Sequence, residues 1–145
     1  MKIFLDTNIF LEYFQRRQQY QSVSRIFDAI EDGSLKAVIS SGSVYTLSYL
    51  IRMELKRKEI HRPQQTRQLR QLLNTITSMA KVIDITHKSF TEGINDTNFD
   101  DLEDSFQHQC AVKAKCDILI TINKKHFICN DIVVMTPDEF LAKKN

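Results

Sequence analysis

Five carboxylates fall within nine residues, Asp96, Asp100, Asp101, Glu103 and Asp104, with no basic residue among them. Carboxylates beside a helix N-terminus complement its dipole, but capping does not need so many. Acids converging on one point repel each other, and the usual compensation is a hard divalent cation such as Mg²⁺ or Mn²⁺. A sixth acid, Asp6, stands with Thr7 and Asn8 directly after the short apolar run Met1-Lys-Ile-Phe-Leu5. These three residue types favour a helix N-cap, so Asp6 is placed between a strand and a helix. The opposite charge is concentrated elsewhere: Arg52, Lys56, Arg57, Lys58, Arg62, Arg67 and Arg70 outweigh Glu54 and Glu59. The formal net charge of +2 therefore averages an acidic and a basic segment and does not argue against a polyanionic partner. Phosphate contacts come mostly from Lys and Arg, so the basic segment suits RNA, or else it is a solvated helix face.

The elements that must position these groups alternate. Short β-compatible runs occur at residues 1–5, 35–40, 80–84, 117–121 and 131–135. Between them lie helical patterns: Ile9 to Phe14, then Val23, Ile26, Phe27 and Ile30 stopped by Asp32-Gly33. Leu47, Leu50, Ile51 and Leu55 mark another helix, and Leu69, Leu72, Leu73 and Ile76 one that starts near Pro63. A short helix over 86–94, one over 101–115 and a capped terminal helix from Thr136 complete the chain. Strands separated by helices imply crossovers, hence an α/β fold with a central parallel sheet covered on both faces. Such sheets place their sites at the carboxyl ends of the strands. That rule selects Asp6-Thr7-Asn8, the 40–43 segment, and Thr121 with Asn123. On the helix from Asp101, the steps of four Leu102, Phe106, Cys110 and Ala114 form the expected apolar stripe. Asp104 falls at its edge, where it leans toward Asp6 with Asp101 close by.

Composition bounds the remainder. A chain of 145 residues, 42% hydrophobic, suits one domain over residues 1–145. Gly33, Gly42 and Gly93 are the only glycines, and neither a dinucleotide fingerprint nor a phosphate-binding P-loop can be written with them. No run approaches the roughly 18 apolar residues of a membrane span, and a secretory signal is absent, so a cytoplasmic protein is expected. Cys110, Cys116 and Cys129 read as reduced, buried thiols. A zinc site built from them with His108 and His126 lacks any C-x-x-C or H-x-x-x-H pair in support. Tyr45 and Tyr49, four apart, are expected to pack rather than stack bases, and Phe10, Tyr13 and Phe14 to enter the core.

Phe4-Leu5-Asp6-Thr7-Asn8-Ile9-Phe10, then Asp101-Leu-Glu-Asp104 leading to Gln107 and Ala111, then Asp117-Ile-Leu-Ile-Thr121-Ile-Asn123-Lys-Lys-His-Phe127, resemble the PIN-domain family. The ending Val134-Met-Thr-Pro137-Asp-Glu-Phe-Leu141 resembles that family's last strand and helix, so the likeness covers essentially the whole chain. The resemblance implies a three-layer α/β/α sandwich whose acidic rim binds Mg²⁺ or Mn²⁺ and cleaves RNA. It also implies a toxin of the VapBC toxin–antitoxin type, with an antitoxin partner and a homodimer. Position by position, Asp6 matches the family's first acid and Asp104 the acid of its D-x-x-D helix, with Asp101 and Glu103 as neighbours. Asn8, Thr121 and Asn123 match supporting polar residues. Two positions depart: Thr46 stands where a glutamate is usual, and His126 where an acid precedes the phenylalanine. The simpler expectation for His126 is an ordinary exposed residue. These departures keep open an alternative, a weak or inactive PIN-fold module that binds RNA or protein. A haloacid-dehalogenase-type phosphatase is disfavoured, because the general acid expected two residues after Asp6 is Asn8.

Overall fold

A computed structural model describes residues 1–144. The chain runs β1 (Lys2–Leu5), α1 (Thr7–Phe14), α2 (Tyr20–Glu31), β2 (Lys36–Ser40), α3 (Ser41–Arg57), α4 (Gln64–Met79) and β3 (Ala80–Ile83). It continues through α5 (His87–Ile94), α6 (Leu102–Lys113), β4 (Ile118–Ile120), a 3₁₀ turn (Lys124–His126), β5 (Val133–Met135) and α7 (Pro137–Lys144). All strand pairings are parallel, in the order β3-β2-β1-β4-β5. The expected α/β architecture is therefore the one observed.

Strand alternation divides the core in two. Ile3, Leu5, Ala37, Ile39, Ile118, Ile120 and Met135 point to one face, where α1, α2, α3, α4 and α7 bury Ile9, Phe10, Val23, Ile26, Leu47, Ile76 and Phe140. Phe4, Val38 and Leu119 point to the other, against Cys110 and Ala111 of α6 and the rings of Phe99 and Phe127. Helices on both faces make three layers. The order of strands reverses between β1 and β4, so a crevice opens where Leu5 and Ile120 end.

The α6 stripe is corrected. Leu102 is exposed and Phe106 half-buried, whereas Asp104, Ser105, Gln107, His108, Cys110 and Ala111 are buried. Phe106 packs sideways on Phe90 of α5, ring centroids 5.0 Å apart. Ser105 Oγ donates to Gly93 O at 2.7 Å, and a Cβ on Gly93 would lie 2.9 Å from the Phe106 ring, so α5 and α6 meet too closely for a side chain there. The face of α6 turned to the sheet is thus half polar, because small and polar groups fit under a helix that also supplies a site.

Tyr45 and Tyr49 are also corrected. They are 81% and 56% exposed on α3, with Arg52 over the Tyr49 ring. Phe10, Tyr13 and Phe14 do enter an aromatic group with Tyr20 and Phe27. Glu12 is a buried acid that apolar patterning did not single out: its Oε2 accepts from Gln19 N at 2.6 Å, serving the start of α2 from the preceding helix. The thiols are free, and burial pushes Cys110 up to about 12 and Cys116 to about 11, with Cys129 raised as well, so all three are protonated near neutrality. Among the described residues no helix is long and apolar enough to cross a membrane.

Leu119, fully buried on the interior strand β4, tests this core. Leu119→Ala removes its contacts with the α6 layer and is expected to cost about 2–5 kcal/mol in denaturant unfolding. A loss below about 1 kcal/mol would show that the α6 layer is not packed on β4 as described.

Candidate active site

Three strands send polar groups into the crevice by the same parity. Phe4, Val38 and Leu119 face α6, so Asp6, Ser40 and Thr121, each two residues further on, face α6 as well. All three are buried: Asp6 is 3% exposed, and Ser40 and Thr121 not at all.

Asp6 ends β1 and caps α1, its Oδ1 accepting from Thr7 N at 2.8 Å. Thr121 Oγ1 donates to Asp6 Oδ2 at 2.7 Å and itself accepts from Asn123 N at 3.0 Å. Gln107 Nε2 reaches Asp6 Oδ1 at 3.2 Å, Thr7 Oγ1 at 3.2 Å and Ser43 Oγ at 2.9 Å. Its Oε1 accepts from Ser40 Oγ, and Ser40 Oγ in turn caps α3 by accepting from Ser43 N at 3.1 Å. One amide therefore ties β1, β2, α1, α3 and α6 together beneath the site. Burial raises the Asp6 pKa, and the bonds from Thr121, Gln107 and Thr7 act against that rise.

Asp104 lies on the first turn of α6, 7% exposed. Asp101 is the N-cap of that helix, its Oδ1 accepting from Glu103 N at 2.9 Å and Asp104 N at 3.4 Å. Burial first, then the charges of Asp6 and Asp101, push Asp104 from an ordinary 3.8 up to about 6. Asp104 Oδ2 is buried and accepts no hydrogen bond; its near neighbour is His126 Nδ1 at 3.3 Å, outside hydrogen-bond alignment. His126 is thus exposed, as expected, yet it touches an acid of the site.

Asp6, Asn8, Ser43, Thr46, Asp101, Glu103, Asp104, Gln107, Asn123 and His126 line one cleft of about 330 Å³. Three helices begin at it, with Thr7 and Asn8 on α1, Gly42 and Ser43 on α3, and Glu103 on α6. Of the positions matched by the family resemblance, all but Thr121 line this cleft, and Thr121 lies beneath it holding Asp6; Asp96 and Asp100 of the acidic cluster do not line it. Asp101 and Glu103 are exposed at the mouth, Asn8 and Asn123 half-buried. Gln107 stands in the stretch that carries the family resemblance but drew no role from it; a polar side chain three residues after Asp104 carries no signal of its own. The residues fit a hard cation: the charge of buried Asp6 raises the pKa of buried Asp104, Asp101 raises both, and one Asp104 oxygen has no hydrogen-bond donor. The basic segment lies on the far half of α3, on the connection after it and on α4. Arg52 is eleven residues along α3 from Ser41, about 17 Å at the helical rise per residue.

Residues 2–125 match the model of the PIN domain family. The chain is 25% identical over 145 residues to Ribonuclease VapC1 of Aquifex aeolicus (strain VF5), covering 99% of this chain and 96% of that one. Solved structures share its fold. VapBC-1 from nontypeable Haemophilus influenzae superposes with a TM-score of 0.68 at 17% identity, over 95% of this chain and 99% of that one. VapBC2 from Rickettsia felis, bound to a DNA fragment from its promoter, does so with a TM-score of 0.68 at 17% identity, over 94% and 98%.

The raised Asp104 pKa fixes the sign of a pH effect. Between pH 3.8 and about 6 the folded chain binds more protons at this group than the unfolded chain. Stability is therefore lost as pH rises through that window and stays lost above it. In metal-free buffer at pH 7.5, Asp104→Asn is expected to stabilise the fold by on the order of 2 kcal/mol, and by almost nothing at pH 4. Calorimetric melting at both pH values checks this; a variant that melts lower than the parent at pH 7.5 contradicts it.

Proposed function

The chain belongs to the PIN-domain family, and from that premise we propose that it is a metal-dependent endoribonuclease and the toxin of a toxin–antitoxin pair. The observation that carries the reading is the pair of buried acids, Asp6 and Asp104, at the point where the strand order reverses. The similarity to Ribonuclease VapC1 along nearly the whole chain supports RNA as the substrate. The VapBC complexes with the same fold support an antitoxin as partner. The 145 residues act as one domain in the cytoplasm, and a homodimer accompanies this assignment.

A hard divalent cation, Mg²⁺ or Mn²⁺, held by Asp6 and Asp104 with Asp101 beside them, supplies polarisation of the scissile phosphate and acidification of an attacking water. The protein's own part is preorganisation. Thr121 and Gln107 grip opposite oxygens of Asp6, so its carboxylate does not rotate as substrate enters. Asn123 is fixed by its own amide to Thr121, and with Asn8 it offers neutral donors to phosphate oxygens at the mouth. Glu103 adds negative charge at the entrance, and the exposed Lys125 stands next to His126 and near Asp101, whereas Lys124 is engaged with Glu139 at 2.8 Å. His126 puts a nitrogen where the family carries an acid, which suits Mn²⁺ better than Mg²⁺ because imidazole prefers the softer ion.

Thr46 favours a second reading. It lines the cleft without a carboxylate, so fewer acids hold the cation, and the chain is then a weak or inactive RNA- or protein-binding module. One assay separates the two. Purified protein with Mn²⁺ cleaves single-stranded RNA, EDTA stops it, and Asp6→Asn or Asp104→Asn lowers the rate at least about 100-fold. Cleavage that persists unchanged in both variants comes from a contaminant and defeats the enzyme reading. Restoring an acid with His126→Asp is expected to raise the rate with Mg²⁺ relative to that with Mn²⁺; an unchanged ratio removes His126 from the metal's surroundings.

A further inference from the structure

One turn below Asp104 on the same face of α6, His108 is 5% exposed. Its Nε2 donates to Asp131 Oδ1 at 2.7 Å. Its Nδ1 is buried with no partner among the described residues. The ring is held by Phe99, centroids 5.2 Å apart, and Phe99 packs edge-on against Phe127. The segment that follows returns past this ring, bringing Cys129 and Asp131. Ligand atoms of His108, Cys129 and Asp131 all lie within 4.8 Å of one another. Among the described residues this is the one His/Cys/Asp/Glu triad so closely drawn; the acids of the cleft are further apart.

We propose that His108, Cys129 and Asp131 form a second cation site, distinct from the acidic cleft, that takes Zn²⁺ or a similar borderline divalent ion. The donor set decides the class. One imidazole nitrogen, one thiolate and one carboxylate are the ligands of zinc, whereas Mg²⁺ demands oxygen. Tetrahedral zinc with such ligands spaces its donor atoms about 3.3–3.8 Å apart. The triad needs only small adjustments to reach that, and Asp131, with half its side chain exposed, is free to make them. That exposure also gives the ion an entry path and leaves the fourth position to water. On binding, the ion takes the place of the hydrogen bond between His108 Nε2 and Asp131; the imidazole stays neutral with its proton now on Nδ1, and the proton on the Cys129 sulfur is released to solvent. No redox step is involved.

The site has a structural consequence. Cys129 and Asp131 follow the turn at Lys124–His126 by a few residues, and His108 belongs to the helix that carries Asp104. The ion therefore fastens the segment bearing His126 to the helix bearing Asp104, from behind the cleft. In the sequence these ligands are up to 23 residues apart, with no spacing pattern to announce them.

Co²⁺ added to the metal-free full chain is the probe. A thiolate-to-cobalt charge-transfer band and tetrahedral visible bands are expected at one equivalent, and Zn²⁺ should abolish them. Cys129→Ser removes the charge-transfer band, and Asp131→Asn weakens Co²⁺ binding at least about tenfold. The Asp6→Asn/Asp104→Asn double variant keeps the band, which separates this site from the cleft and from any question of nuclease activity. No charge-transfer band in the parent, a band that survives Cys129→Ser, or wild-type affinity in Asp131→Asn would each overturn the proposal. Circular dichroism matching the parent shows that the variants are folded.

Discussion

The arrangement depends on one buried carboxylate. Asp6 sits 3% exposed at the end of a central strand, and a charge there is tolerated only because three donors from separate elements meet it. Thr7 N comes from α1, Thr121 from the end of β4, and Gln107 from α6. Each donor has a further obligation: Thr121 to Asn123, Gln107 to Ser43 and Ser40, Thr7 to Ser43. Satisfying Asp6 therefore sets the register of β1 against β4 and the height of α6 above the sheet. A one-residue slip of any of these strands would turn its rim group to the opposite layer.

Asp104 stands in the opposite electrostatic position. Asp6 has its donors and Asp104 has almost none, only the flank of His126. Two acids, one satisfied and one starved, share a cleft, so the unsatisfied charge is directed at whatever enters. Asp101 divides its allegiance, closing the first turn of α6 while adding charge at the mouth. The capping and metal readings of the acidic cluster are thus not rivals; one residue serves the helix so that its neighbour, three positions later, is held in place for the site.

Much of this was legible in the residue order. The alternating runs located all five strands within a residue or two, and the rule that parallel sheets work at their carboxyl ends selected Asp6, Thr121, Asn123 and the 40–43 segment. What pattern reading missed has a common cause. Apolar periodicity assumes that buried means hydrophobic, and α6 buries Asp104, Gln107 and His108 instead. Gln107 is an ordinary polar residue until three strand ends are brought beneath it. Glu12 serves a backbone amide seven residues away. Tyr45 and Tyr49 sit at helical spacing yet face outward, since spacing tells which residues share a face but not which way that face is turned. The meeting of His108 with Cys129 and Asp131 arises from a chain reversal, which no local window contains.

Three helices start at the cleft, and each start is capped by a side chain already named, Asp6 for α1, Ser40 for α3 and Asp101 for α6. Each such end carries about half a positive charge from its aligned peptide groups. The cleft therefore has a layered field: side-chain charge is negative at its floor, while the backbone at its walls is positive. An incoming polyanion meets oriented amides together with Asp101 and Glu103 at the mouth, and the buried acids Asp6 and Asp104 only at depth. The attraction from the walls is built from main-chain geometry, so removing an acid leaves it in place. Substitution of Asp6 or Asp104 should for this reason uncouple holding a nucleic acid from cutting it.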